Sequence, residues 1–370
     1  MSGAIEAIVM PKWGLSMSEG KLTGWLKQVG APIAVGDDLF EVETDKIVNV
    51  VEAGSAGVLR RIVGESGEIY PVKALIGVLA DADTPDAEID AFVAAYAAPA
   101  GEDADVAEAG PRHEFAETPM GRLRYAQRGE GAEQVVLIHG FGGDLDNWLF
   151  NIDALAARAT VHALDLPGHG QSEKTIAEPS LAWLASAVLA FMDAADIESA
   201  HLVGHSMGGA IAMRIAIDHP ARVKSLSLIG SAGLGPEIDS GYLDGFVNAA
   251  SRRELKPLLE RLFDDPALVN RQLVDDVLKF KRIDGVDAAL RQLASQLFPD
   301  GRQTSILADR LNASGAPVLV VWGESDRIIP SSHAAALRGA RTEVLPGAGH
   351  MVQMEKASKV NELLITQLTR

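Results

Sequence analysis

From Gln134 onward the chain repeats one pattern, a short continuous apolar run ending at or beside Gly or Asp, then a longer stretch with helical spacing. The runs are Gln134–His139, Thr160–Asp165, Ala200–Gly204, Val223–Gly230 and Val318–Trp322, with helical patterns such as Ser180–Asp193 and Gly208–His219 between them. A strand that is apolar on both faces needs cover on both faces, and strands joined through helices run parallel. The pattern predicts an α/β fold around a parallel sheet for residues 113–370. Between about Leu234 and Asn312 the strand signal stops. Segments such as Glu254–Phe263 and Val269–Phe280 replace it with helical spacing, which predicts a helical cap inserted into that fold.

Residues 1–80 have a different texture. Short alternating runs such as Leu39-Phe40-Glu41-Val42-Glu43, broken by Gly and Asp, predict a small all-β domain. An imperfect repeat runs through it: Gly24-Trp25-Leu26-Lys27 matches Gly57-Val58-Leu59-Arg60, and Gly30–Val42 matches Gly67–Leu79. Two similar sheets facing each other across a thin core would satisfy such a repeat. Glu43-Thr44-Asp45-Lys46 lies between Leu39–Val42 and Ile47–Val50. Two β runs around a short polar pair predict a hairpin with Lys46 near its tip, the amine free in solvent. An exposed turn lysine is by itself ordinary surface.

Residues 81–112 separate the two regions with eleven Ala, three Pro and nine acidic groups against one Arg. Self-repulsion and proline predict an extended acidic linker. Within it Ile89, Phe92, Val93 and Tyr96 recur at helical spacing, an apolar stripe fit either to lean on a neighbouring domain or to dock a partner subunit.

Composition narrows the chemistry. The net charge of −18 argues against a phosphate-binding surface, because nucleic-acid affinity needs clustered Lys and Arg. No uncharged stretch exceeds the 15 residues of Ser199–Met213, short of a membrane span. Glu6 precedes any apolar run and no basic leader is present, so a soluble cytoplasmic protein is expected. With no cysteine there are no disulfides, thiolate nucleophiles or thiolate-bound metals, and the histidines show no metal-ligand spacing.

One motif carries nucleophilic chemistry. Gly204-His205-Ser206-Met207-Gly208 follows an apolar run and opens a helical one, the setting in which a tight turn projects a serine hydroxyl. His139-Gly140-Phe141-Gly142-Gly143 ends the first strong run, so the Phe141 N–H is expected beside that of Met207 as a pair of oxyanion donors. Gly323-Glu324-Ser325-Asp326 ends the last strong run, and His350 follows Gly347-Ala348-Gly349. In these roles His350 takes the Ser206 proton, Asp326 orients the imidazole, and Ser206 attacks a carbonyl. Asp165, in Asp165-Leu166-Pro167-Gly168-His169-Gly170, is the competing acid, although its surroundings read as a structural loop. His139, His169 and His205 read as structural members of their motifs.

The order Ser, Asp, His and the loop Asp165–Ser172 resemble the α/β-hydrolases over about residues 120–370. Residues 4–80 resemble biotinyl/lipoyl carrier domains in Gly30, Gly36-Asp37, the Glu-Thr-Asp-Lys turn, Ala53 and Gly57-Val58-Leu59. Asp45-Lys46 is similar to the lipoyl type rather than to the Met-Lys-Met of biotin carriers. That resemblance implies lipoate in amide linkage on Lys46. The combination resembles the acyltransferase (E2) subunits of lipoyl-dependent complexes. It implies transfer of an acyl group from the lipoyl arm through Ser206 to coenzyme A. It also implies partnership with a thiamine diphosphate-dependent E1 and a dihydrolipoamide dehydrogenase E3, and leaves homo-oligomerisation open. Two features depart from ordinary E2 subunits. The His-x-x-x-Asp-Gly motif is absent, since each Asp-Gly pair has Ser240, Phe280 or Gln296 where the His would stand, and the linker lacks the usual basic docking segment. Two alternatives stay open: a thioesterase in which water takes the acyl group, and a carrier fused to an inert hydrolase scaffold. No Gly-rich phosphate loop or basic cluster in the sequence identifies a coenzyme A site.

Overall fold

The computed structural model describes residues 5–11, 17–44, 48–96, 113–313 and 317–369. They divide into two compact units, Met1–Pro111 and Arg112–Arg370.

The first unit contains β1 (Glu6–Val9), β2 (Glu19–Trp25), β3 (Pro32–Ile33), β4 (Asp38–Glu43), β5 (Val48–Glu52), β6 (Gly57–Ile62), β7 (Ile69–Pro71) and β8 (Leu75–Ala80). They build two antiparallel sheets of order β1-β8-β6-β3 and β5-β4-β2-β7. Replacing each strand by the one four places along the chain turns one sheet into the other. The sequence repeat therefore interleaves, each copy giving two strands to each sheet. Alternation puts Leu22, Phe40 and Val42 of one sheet against Leu59 and Ile76 of the other, all fully buried. Trp25 closes one edge, its ring 4.9 Å from Phe40 and its indole N–H donating to the Gly64 carbonyl at 3.0 Å. Helix α1 (Asp86–Ala95) packs on β8. Its Ile89 is fully buried, Arg60 pairs with Asp86 at 2.9 Å, and the Tyr96 hydroxyl donates to the Lys73 carbonyl at 3.0 Å. The apolar stripe of the acidic segment thus faces the β domain of its own unit.

In the second unit, β9 (His113–Thr118) and β10 (Gly121–Arg128) form an antiparallel edge. They continue into β11 (Gln134–Ile138), β12 (Thr160–Leu164), β13 (Ala200–His205), β14 (Val223–Ile229), β15 (Val318–Gly323) and β16 (Arg341–Leu345). The sheet order is β16-β15-β14-β13-β11-β12-β10-β9, parallel from β12 to β16. Helices α2 (Ile152–Ala156), α3 (Leu181–Ala194) and α4 (Met207–Asp218) alternate with these strands. The sides are covered, so β12 and β13 are buried at every residue. The cap then follows as α5 (Ser240–Asn248), α6 (Arg252–Leu259), α7 (Arg271–Lys281), α8 (Val286–Leu297) and α9 (Ala308–Asn312). Two of its helices are started by side-chain caps, Ser251 with Glu254 as a capping box on α6 and Asn270 on α7. The chain closes with α10 (Val352–Glu355) and α11 (Ala357–Leu368).

β11 lies between β12 and β13, so the connections leave it toward opposite edges of the sheet. A crevice opens at the carboxyl ends of strands where the order reverses in this way. The loops after β11 and β13 meet there. Among the described residues no helix is long and apolar enough to cross a membrane.

Candidate active site

Ser206 alone joins β13 to α4, with φ 52° and ψ −119°. A left-handed φ at a residue with a Cβ costs about 1–3 kcal/mol and needs support on all sides. Support comes from the Ser206 N–H, which donates to Ile229 O at 3.0 Å, and from its carbonyl, which accepts Ala232 N at 3.0 Å. The flanking glycines are a steric requirement. A Cβ at Gly204 would lie 2.4 Å from Gly208 O, and one at Gly208 would lie 2.2 Å from Ile138 O.

Asp326 follows β15 and His350 follows β16. The His350 Nδ1 lies 2.8 Å from Asp326 Oδ2, with both side chains almost wholly buried. Asp326 Oδ1 is separately fixed by the N–H groups of Ile328 and Ile329 at 2.8 and 3.0 Å. Glycine again permits the approach: a Cβ at Gly323 would lie only 2.0 Å from Gly349 O. With Nδ1 held by Asp326, the opposite ring nitrogen of His350 is free to serve the pocket that His350 shares with Ser206.

The loop after β11 abuts the serine, since a Cβ at Gly140 would stand 2.9 Å from Ser206 Cβ. Phe141 follows in that loop and lines the pocket. Met207 is the first residue of α4, where an N–H has no carbonyl partner within the helix. Two buried histidines brace the loop. His139 accepts Leu166 N at 2.9 Å and His169 accepts Gly142 N at 3.2 Å. Burial pushes them down to about 4 and about 3 respectively, so both stay neutral acceptors near pH 7. His205, likewise pushed well below its usual range by burial, lies 3.0 Å from His350 O and fixes that loop from below.

Asp165 is engaged elsewhere. Its carboxylate accepts Leu145 N at 2.9 Å, Gln171 N at 2.8 Å and Arg124 Nη1 at 3.3 Å, all buried or part-buried. It organises the Asp165–Ser172 loop and leaves Asp326 as the carboxylate on His350.

Ser206 and His350 line one pocket beneath the cap. Its walls are largely apolar, with Phe141, Phe246, Phe263, Phe298, Met351 and Met354 among them, and among the described residues no Lys, Arg, Asp or Glu lines it. Such a lining suits an acyl chain or apolar tether, not a phosphate.

Glu355 gave no signal in the sequence, where it reads as a polar helix residue. Its Oε1 accepts Asp264 N and its Oε2 accepts Gly349 N, each at 2.7 Å, which ties the cap to the His350 loop. Desolvation raises it to about 7, against the two N–H groups and Lys356, which lower it. The folded value lies above the unfolded one, so its contribution to stability is present at low pH and lost as pH rises toward 7. From pH 5 to 8 it should remove about 2–3 kcal/mol of unfolding free energy. Glu355→Gln should abolish that component in denaturant titrations at the two pH values. An unchanged difference between them would assign the titration to another group.

Lys46 lies outside the described residues. The strands on either side, β4 and β5, pair antiparallel up to Glu43 and Val48. Of the four residues linking them, Thr44 to Ile47, Lys46 alone carries an amine to acylate, so the donor set fits a lipoyl amide.

A strained serine at the reversal point of a doubly covered parallel sheet, with a buried His–Asp pair beside it, defines an α/β-hydrolase site, here with an interleaved β carrier domain on the same chain. Family comparison agrees: the alpha/beta hydrolase fold family matches residues 134–357 and the family described as biotin-requiring enzyme matches residues 6–79. The dihydrolipoyllysine-residue acetyltransferase component of the acetoin cleaving system from Cupriavidus necator is 55% identical over 98% of this chain and 97% of its own. Its namesake from Pseudomonas putida is 51% identical over 99% of both. Among solved structures, a meta-cleavage product hydrolase from Pseudomonas fluorescens superposes with a TM-score of 0.64, at 25% identity over 69% of this chain and 97% of that one. The chain belongs to the family of dihydrolipoyllysine-residue acetyltransferase components of acetoin cleaving systems, built on a lipoyl domain and an α/β-hydrolase fold.

Proposed function

We propose that this chain transfers an acetyl group from a lipoyl arm on Lys46 to coenzyme A through an acyl-Ser206, within an acetoin-cleaving multienzyme complex. When attached, the lipoyl group supplies the thiol chemistry that a chain without cysteine lacks. The remaining steps belong to the chain's own side chains. His350 removes the Ser206 proton as Oγ bonds to the thioester carbonyl. The Phe141 and Met207 N–H groups stabilise the oxyanion. The carbon–sulfur bond then breaks, and the leaving thiolate takes the proton from His350. In the return half, the coenzyme A thiol gives its proton to His350 and bonds to the acyl carbon. The Ser206 ester bond breaks, and Oγ recovers the proton. Asp326 holds the imidazole and offsets its positive charge throughout. A thiamine diphosphate-dependent E1 would load the arm and a dihydrolipoamide dehydrogenase E3 would reoxidise it.

The observation that carries this reading is the 2.8 Å His350–Asp326 contact in the apolar pocket of Ser206. A second reading has the fold of the hydrolases in its favour: water, not coenzyme A, discharges the acyl-serine. The products separate the two. Acetyl-dihydrolipoamide and saturating coenzyme A should yield acetyl-CoA, and acetate alone would establish the hydrolytic reading.

Lys46→Arg keeps the charge but removes the attachment amine. It should abolish turnover of the assembled complex while leaving transfer from free acetyl-dihydrolipoamide within about twofold of the parent. Equal loss in both assays would contradict a carrier separate from the acyl-transfer site.

A further inference from the structure

We infer that the groove between the N-terminal end of α6 and the C-terminal end of α7 binds the nucleotide phosphates of coenzyme A. The inference rests on the transferase reading and adds to it a place for the acceptor. Coenzyme A carries a pyrophosphate and a 3′-phosphate at one end and its thiol at the other. The thiol must reach acyl-Ser206, whereas the phosphates have no cation to meet in the acyl pocket. Burying them there unpaired would be prohibitive. They must remain outside while the pantetheine arm enters.

The groove is lined by Arg252 and Arg253 of α6, by Lys279 of α7 and by Arg282 just after it, with Asp275 as its one carboxylate among the described residues. Asp275 pairs with Arg252, Asp276 pairs with Lys279 at 2.8 Å, and Glu254 is occupied by its capping box with Ser251. Arg253 and Arg282 are exposed and make no ion pair among the described residues. Two unpaired guanidinium forks flanking a groove match the geometry of phosphate oxygens. Their setting adds weight. The cap, residues 234–312, carries 11 basic and 13 acidic residues, net −2 against −18 for the whole chain, so it repels a polyanion less than the rest of the chain does.

The same helices wall the acyl pocket. Leu273 and Val277 of α7, Phe246 of α5 and Leu259 of α6 line it, and Lys279, Arg282 and the Ala250-Ser251 turn line the groove. Helix α7 is therefore common to both, with Leu273 and Val277 on the pocket and Lys279 on the groove. The cluster is not a run in the sequence because two successive helices, α6 and α7, each contribute part of it.

Pantetheine, which has the thiol and no nucleotide, is the control acceptor. The full-length R253E/R282E variant should raise KM for coenzyme A about tenfold, and leave both kcat and the KM for pantetheine as in the parent, which also certifies the fold. KM for coenzyme A should rise with salt in the parent and much less in the variant. Calorimetric titration of coenzyme A into the Ser206→Ala protein, with and without the two charge reversals, reads binding without turnover. Loss of heat on reversal supports the groove. Unchanged Kd and KM for coenzyme A overturn it. Binding that depends on the groove in a parent enzyme yielding only acetate would retain the groove and sink the transfer reading instead.

Discussion

Ser206→Ala is expected to lower acyl transfer from free acetyl-dihydrolipoamide by about 10⁴-fold or more. The covalent route passes through one oxygen, and the residues around it are arranged for that oxygen alone. The turn that projects it is strained, and neighbouring glycines leave no room for a Cβ. Alanine removes the hydroxyl and keeps the Cβ and the backbone bonds to Ile229 and Ala232, so the fold and the oxyanion N–H groups should survive. The loss should therefore appear in kcat at unchanged thermal stability. Retained turnover would mean that His350 activates coenzyme A for direct attack, or that the hydrolase unit is a scaffold.

Asp326→Asn should be nearly as severe, about 10⁴-fold in kcat, for a reason that can be read from its contacts. The Oδ1 position accepts two backbone N–H groups, from Ile328 and Ile329. An asparagine must put its carbonyl oxygen there, because an amide nitrogen would face two donors. Its NH₂ then occupies the Oδ2 position and donates to His350 Nδ1. That forces the imidazole proton onto the other nitrogen, which can no longer accept the Ser206 proton. Asp326→Ala leaves room for water and should be less damaging than the isosteric asparagine. Near-normal rates in Asp326→Asn would move the role to a different carboxylate.

How far the sequence discloses this molecule depends on where each residue's constraint comes from. The strands β11 to β15 are legible because both their faces are buried, which leaves continuous apolar runs; Ser206 and Asp326 are legible because each follows such a run, and His350 because it follows the Gly347-Ala348-Gly349 turn. The β9–β10 edge is not: His113–Arg128 mixes charged and apolar residues, and its pairing is decided by the strand it meets rather than by its own pattern. The internal repeat of the carrier predicts two related sheets but not their interleaving, since a repeat records similarity and not which strands pair. Ile89 to Tyr96 announces a helix and leaves its partner undetermined, and only packing on β8 decides it. Glu355 and the Arg253–Arg282 groove lie beyond sequence reading altogether. Each is defined by groups that only the fold brings together, Asp264 with Gly349 from distant segments in one case and the facing ends of the successive helices α6 and α7 in the other.

The covalent step itself can be observed. Full-length protein mixed rapidly with acetyl-dihydrolipoamide in the absence of coenzyme A, quenched in acid and digested, should show one acetyl group on the peptide containing Ser206. Adding coenzyme A before the quench should discharge that peptide with a matching yield of acetyl-CoA. An unmodified Ser206 peptide during active turnover, or an acetylated one that only water can discharge, would contradict the hand-over from serine to coenzyme A.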